Sequence, residues 1–344
     1  MCIFKNIVLV VLLIACADQK TMLCMTPHLV VGVESMQGLR DHMEDFYHIT
    51  NSADAEALGF PLFYSVFDGH AGIGAAEYAT HAFIPNIIRN KFWPHDIPQA
   101  IRHGFTTTHA EYAGTAGTTA VTALIRDGIL YVANAGDSEA LLCHNGVMQQ
   151  LSQTHQLNNP DEVVRIAHLI EEEKTARPEF EQVDVGIRKK QHGFSYNQPL
   201  VTESAHTVFY MGNDDGMLSV TRGIGDKQFA PYTSAEPHVV THQFDGREEF
   251  LILASDGLFE SITFEGAVAC VNRLLGLNSW SSQTITQAQA TAIARELVNA
   301  ALEYGSTDNI TVMIIFFQFG PAPAPMPMRR PPCWLARWCC CTPA

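Results

Sequence analysis

The chain carries acidic groups at five places where an apolar, β-like run breaks off. RDHMEDF supplies Arg40, Glu44 and Asp45, VFDGHAG supplies Asp68, Gly69 and His70, and NAGDSE supplies Asp137. LASDGLFE supplies Asp256 and Glu260, and STDNITV supplies Asp308. Several of these acids stand before Gly or Asn, where the backbone can turn sharply and aim carbonyl and carboxylate the same way. Singly, each Asp-Gly reads as a turn. Together, five groups of strand-end acids with one nearby Arg would repel each other unless cations intervened. Hard divalent ions such as Mg²⁺ and Mn²⁺ take carboxylate, carbonyl and water oxygens, and this is the donor set of a two-metal hydrolytic site.

The neighbouring residues point to a phosphate ester. The guanidinium of Arg40 can grip a phosphate with two parallel hydrogen bonds, which Lys does less well. His70, beside Asp68, can protonate a leaving alkoxide near neutral pH. A metal-activated water needs no Ser or Cys nucleophile, and neither G-x-S-x-G nor H-E-x-x-H occurs in the chain. AGIGAAE lacks the third small residue of a dinucleotide fingerprint and is not expected to follow a strand directly, so it reads as a helix start. A glycosidase uses two carboxylates and would leave the others unexplained.

These residues need elements to hold them. Strands are expected at 28–34, 62–68, 118–125, 129–135, 139–144, 249–255 and 309–319, all rich in β-branched residues and bounded by Gly, Asp or Asn. Asp127-Gly128 between two of them predicts a tight hairpin. Helical spacing covers 73–90, 97–112, 160–173, 263–275 and 286–303. In the last, Ala288, Ala292, Ile293, Leu297, Ala300 and Ala301 are expected to share a face. Strand runs interrupted by paired helices favour layered α+β over a doubly wound sheet. Residues 171–217 are polar and aperiodic, and predict a flap or small insertion beside the core.

Composition narrows the class. The 344 residues are 47% apolar, enough for a sizeable core. The formal net charge is −15, although the tail 320–344 holds Arg329, Arg330 and Arg337 and no acid. The middle is therefore more acidic than the whole, which argues against nucleic-acid binding. Cys143 and Cys270 alone lie in the middle of the chain and no CxxC occurs, so neither a zinc ribbon nor a disulfide framework is expected.

The two ends give conflicting addresses. Residues 1–24 hold Lys5 ahead of an apolar run and Ala15-Cys16-Ala17, the pattern of a signal peptide, and Leu13 to Cys16 also fits a lipoprotein box. A start at Met22 or Met25 is the other reading. The Pro-rich stretch after 320 leads to RRPPCWLARWCCCTPA, suited to membrane contact through Cys, Arg and Trp. The sequon Asn309-Ile310-Thr311 lies among the catalytic candidates, which favours a membrane-attached protein whose domain faces a cytosol. A secreted protein or lipoprotein is the alternative.

SMQGLRDHMED, VFDGHAG, AGTTAV, VANAGDS, LSVTRGIGD, AEPHV, LASDGLFE and STDNITV stand in an order that resembles the PPM family of metal-dependent protein Ser/Thr phosphatases, over about Val30 to Phe317. The resemblance implies a four-layer αββα sandwich with two stacked antiparallel sheets flanked by helices, and an enlarged flap. It implies a monomer acting on phosphoproteins through two Mg²⁺ or Mn²⁺ ions and a weaker third. By position, Asp68 would bridge both metals, Glu44 and the carbonyl of Gly69 would serve one, and Asp256 and Asp308 the other. Asp45 would hold metal-bound water, Arg40 the phosphate and His70 the proton, while Asp137 matches the acid of the third site. The reaction implied is attack of a bridging metal-bound hydroxide on phosphoserine or phosphothreonine. Glu139 stands where the family has Arg, Glu260 where it has Asp, and Thr154-His155-Gln156-Leu157 lacks an acid. Those departures leave a catalytically impaired binding module as the alternative.

Overall fold

The computed structural model describes residues 26–50, 61–176, 185–191, 194–198, 207–211, 217–276 and 284–319. The signal-like segment and the Cys-rich tail lie outside them. In chain order the strands are β1 (His28–Met36), β2 (Asp45–Ile49), β3 (Leu62–His70), β4 (Gly117–Thr118), β5 (Ala120–Arg126), β6 (Ile129–Ala135), β7 (Glu139–His144) and β8 (Val147–Gln150). There follow β9 (Val185–Gln191), β10 (Phe194–Gln198), β11 (Thr207–Met211), β12 (Met217–Leu218), β13 (Ile224–Gly225), β14 (His238–Gln243), β15 (Glu248–Ala254) and β16 (Ile310–Gln318). The helices are α1 (Gly74–Ile88), α2 (Ile97–Glu111), α3 (Pro160–Ala176), α4 (Asp256–Phe259), α5 (Phe264–Leu274) and α6 (Gln287–Glu303).

One antiparallel sheet runs β1-β16-β15-β7-β8, and a second runs β13-β4-β3-β5-β6-β14 with β2 paired to β3. Side-chain alternation along each central strand assigns the layers. On β16, Ile310, Val312, Ile314 and Phe316 join α5 and α6 in one core, while Met313, Ile315 and Phe317 face the other sheet. On β5, Val121, Ala123 and Ile125 meet them from the opposite side, and Ala120 and Leu124 turn outward to α1 and α2. Three cores thus separate four layers, the αββα sandwich expected. Strands buried on both faces explain why their sequences are almost continuously apolar.

The predicted strands and helices are all present, and Asp127 and Gly128 take positive φ in the β5–β6 hairpin. One detail differs. The buried face of α6 is Ala290, Ile293, Ala294, Leu297, Val298 and Ala301, while Ala288 and Ala292 are exposed. The larger Ile, Leu and Val side chains set the stripe, and alanines on either flank carry too little surface to shift it. The helix is also fixed at its start by a capping box between Thr286 and Gln289. Within the expected flap, α3 runs to Ala176, and β9, β10, β11 and β12 form a third antiparallel sheet in the order β10-β9-β11-β12. Among the described residues no helix is long and apolar enough to cross a membrane.

Buried charge ties α3 to the segment that follows this small sheet. Glu162 is 1% exposed and accepts from Arg165 at 2.8 Å, Arg222 at 2.5 Å and Thr221 at 2.5 Å. Burial opposes its charge, but the two guanidinium groups win and hold the carboxyl down at about 2, from an ordinary 4.5. A depressed folded value stabilises the fold above the ordinary value, and that stability is lost as pH falls. The shift corresponds to on the order of 3 kcal/mol at neutral pH. Urea unfolding of Glu162→Gln beside wild type should show that gap at pH 7, shrinking as pH drops from about 4.5 towards 2. A gap independent of pH would refute the ion-pair account.

Candidate active site

The acids collect at one end of the sandwich because the strands that bear them end there. Asp68 lies near the end of β3, and Asp45 opens β2 in direct register with it. Asp137 follows β6, Asp256 begins α4 one residue after β15 and Ser255, and Asp308 precedes β16. Carboxylate oxygens of Asp68, Asp137 and Asp256 all lie within 4.8 Å of one another. No Lys or Arg pairs with any of the three among the described residues. Burial first, and then mutual repulsion, drives Asp68 and Asp256 well above the ordinary carboxylate range. Burial likewise pushes Asp45 and Asp137 up to about 6.

The chain before β2 closes over this cluster. Asn309 accepts the Glu44 N–H at 2.7 Å and donates to the carbonyls of Gln37 at 2.7 Å and His42 at 3.0 Å. Glu44 Oε1 accepts the Gly72 N–H at 3.0 Å, and its carbonyl accepts the Gly69 N–H at 3.2 Å. A Cβ at position 69 would lie 2.5 Å from that carbonyl, so only Gly permits the approach. Arg40 is exposed and its Nη2 rests 2.5 Å from Asp308 Oδ2. His70 Nε2 lies 2.8 Å from Asp226 Oδ2. The hydroxyl of Ser255 donates to Asp45 Oδ2 at 2.8 Å, while Asp45 Oδ1 is buried with no partner.

Every residue nominated from the sequence therefore lies in or beside one cluster: Arg40, Glu44, Asp45, Asp68, Gly69, His70, Asp137, Asp256 and Asp308. Sequence reasoning missed the groups that hold them. Asn309 appeared only as a sequon, and Ser255 and Asp226 only inside motifs. Gln156, in the stretch that lacks an acid, donates to Asp137 Oδ2 at 2.6 Å. Glu139 is buried, with both carboxylate oxygens taken by Ser152, Thr154 and Gln150. It organises the chain after β8 instead of adding a free acid to the cluster. Glu260 caps α4 and repels Asp256.

A family model described as protein phosphatase 2C matches residues 29–175 and 201–310. The chain belongs to the protein phosphatase 2C family. A rice relative, "Probable protein phosphatase 2C 59", is 33% identical over 296 residues, covering 83% of this chain and 75% of that one. Human "Protein phosphatase 1F" is 31% identical over 301 residues, covering 84% and 57%. Mouse "Protein phosphatase 1E" is 29% identical over 303 residues, covering 83% and 34%, so this chain spans about a third of that relative. Among solved structures, the serine-threonine phosphatase 2C from Toxoplasma gondii matches with a TM-score of 0.65 at 20% identity, covering 86% of this chain and 99% of that one. A C. elegans sex determining protein matches at 0.64 and 20%, covering 84% and 64%. The protein phosphatase 2C fold thus confirms the two-sheet architecture.

The donor set also fits what such a phosphatase would bind. Three convergent carboxylates with no Lys or Arg paired to them among the described residues, and an orphaned oxygen on Asp45, make an oxygen-rich cradle for a hard divalent cation. Left without one, the cluster must take up protons.

Proposed function

We propose that the chain hydrolyses phosphoserine and phosphothreonine in proteins directly to phosphate, with two Mg²⁺ or Mn²⁺ ions and a weaker third. The observation that carries this is the uncompensated cluster of Asp68, Asp137 and Asp256 between a potential phosphate ligand, Arg40, and a potential proton donor, His70. Glu44, Asp68 and the Gly69 carbonyl would hold one ion, and Asp68, Asp256 and Asp308 the other. Asp137 would serve the third. Bound there, the ions supply a Lewis acid for the phosphoryl oxygens and a water of lowered pKa.

The chain's own groups do the rest. Asp45, fixed by Ser255, orients the attacking water through its second oxygen. Arg40, 60% exposed, has the freedom to leave Asp308 for the phosphoryl oxygens. His70 gives a proton to the departing Ser or Thr oxygen. The inward-turned Glu139 removes one ground for reading the chain as a binding module without turnover. The flanking segments, 1–24 and 320–344, are proposed to hold the enzyme at a membrane with the domain facing a cytosol.

The test compares a phosphothreonine peptide with an aryl phosphate, whose leaving group scarcely needs a proton. Wild type should turn over both with Mn²⁺ and lose at least about 100-fold in excess chelator. His70→Ala should lower peptide turnover by about 10²–10³-fold and aryl phosphate far less. Turnover that survives chelation, or equal losses on both substrates, would count against the assignment.

A further inference from the structure

His70 does not stand alone, and its partner comes from far along the chain. Asp226 is 2% exposed, and its Oδ2 meets His70 Nε2 at 2.8 Å. Its backbone lies in the left-handed region, with φ 54, which Asp and Asn tolerate better than other side chains. That conformation is held by its N–H to the Ala116 carbonyl at 3.3 Å and by the Phe229 N–H to its own carbonyl at 2.9 Å. Space for the carboxylate comes from Gly117 on β4, the strand partner of both His70 and Gly225. A Cβ on Gly117 would sit 2.0–2.3 Å from three carboxylate atoms of Asp226. The other oxygen, Oδ1, is buried without a partner. An unusual backbone, a missing side chain on the facing strand and a half-satisfied carboxylate all converge on one ring nitrogen.

We infer that Asp226 is the positioning residue for the proton donor: it accepts the Nε2–H of His70 and so reserves Nδ1 for the leaving serine or threonine oxygen. This rests on the phosphatase reading above. As the P–O bond to the substrate side chain breaks, its electron pair goes to that oxygen, which takes the proton from Nδ1. The imidazole is left neutral with its Nε2–H still on Asp226, which itself gains no proton. The water that forms the new P–O bond releases a proton to solvent, and Nδ1 recovers one from solvent. The sum is phosphate ester plus water to alcohol plus phosphate. A carboxylate placed behind an imidazole fixes both tautomer and ring orientation in this way.

Asp226→Asn tests the assignment in the full chain, because Asn keeps the left-handed backbone but can turn an amide N–H towards Nε2. With Mn²⁺, the ratio of kcat/KM for a phosphothreonine peptide to that for p-nitrophenyl phosphate should fall by roughly 10–100-fold. Gly117→Ala, which crowds the carboxylate, should lower the same ratio. In a His70→Ala background, Asp226→Asn should change the ratio less than threefold, as expected for residues acting as one unit. Equal losses on both substrates, or an undiminished loss without His70, would overturn the inference and leave Asp226 a merely structural residue.

A second readout needs no turnover. Long-range ¹H–¹⁵N spectra of the metal-free, histidine-labelled chain, assigned with His70→Ala, should show the Nε2–H tautomer at His70 in wild type and its loss in Asp226→Asn. An Nδ1–H tautomer in wild type would overturn the inference whatever the kinetics. A wild type with that Nε2–H tautomer but no turnover of either substrate would sink the phosphatase reading, and the proton-donor role with it.

Discussion

Asp68→Asn is expected to abolish turnover of a phosphothreonine peptide, by at least about 10³-fold, while making the chain more heat-resistant in chelator. Both effects follow from one fact. Asp68 is the acid on which the repulsion of Asp256, Asp45 and Asp137 converges. Bound cations would be worth several kcal/mol of transition-state stabilisation, and each 1.36 kcal/mol is tenfold in rate. Asn keeps the shape but not the charge, so cation affinity and rate fall together. In chelator, however, removing one of several crowded buried carboxylates relieves repulsion worth on the order of 1 kcal/mol. Saturating Mn²⁺, at a hundred times its Kd, should stabilise wild type by about 2.7 kcal/mol and the variant hardly at all. Thermal unfolding of both proteins across a Mn²⁺ series should therefore show the curves crossing. Full activity in the variant, or a variant less stable than wild type in chelator, would falsify the placement of Asp68 at the centre of the cation site.

The second large effect is expected at Asn309, which touches no substrate in the proposed reaction. Its amide supplies an acceptor to Glu44 and donors to Gln37 and His42, and it is only 5% exposed. Asn309→Ala leaves those backbone groups without partners at a cost of about 2–4 kcal/mol. The loop it releases carries Arg40 and Glu44, so activity should fall by roughly 10²-fold through misplacement alone. Peptide KM should rise as well, since Arg40 is the proposed phosphate ligand. Urea unfolding with parallel steady-state kinetics decides it. A variant that unfolds like wild type, with unchanged KM, would show that the loop is held by something else.

These two residues mark what was legible in the sequence. Asp68 could be found because it ends an apolar strand run, and other strand-end carboxylates recur along the chain. The central strands were legible for the same reason, since burial on both faces makes them continuously apolar. Among the strands that went unseen, β2, β8 and β14 lie off the main path or at a sheet edge and are largely half-buried or exposed. An edge strand buries too little to impose a pattern on its residues. The supporting shell was hidden for another reason. Asp226 is 156 residues from His70, and Asn309 is 265 from Glu44. No local period encodes such a pair, and only the completed ladders bring them together. Glu139, which stands where the resemblance leads one to expect Arg, is explained only by the fold: the hydroxyls of Ser152 and Thr154 and the amide of Gln150 draw it inward.

The pairing of β1 with β16 has a geometric result for whatever holds the protein in place. His28 stands opposite Gln318 and Met36 opposite Ile310, so the first and last strands lie side by side along their whole length. Residues 28 and 318 share one corner, while Arg40 and Asp308 lie past the other end of the same two strands, about 30 Å away. A tether fused at either side would pull on the same corner and leave the acidic mouth pointing outward. Such a molecule works like a lamp on a short stalk, with its reach set by the stalk and its aim by the ladder.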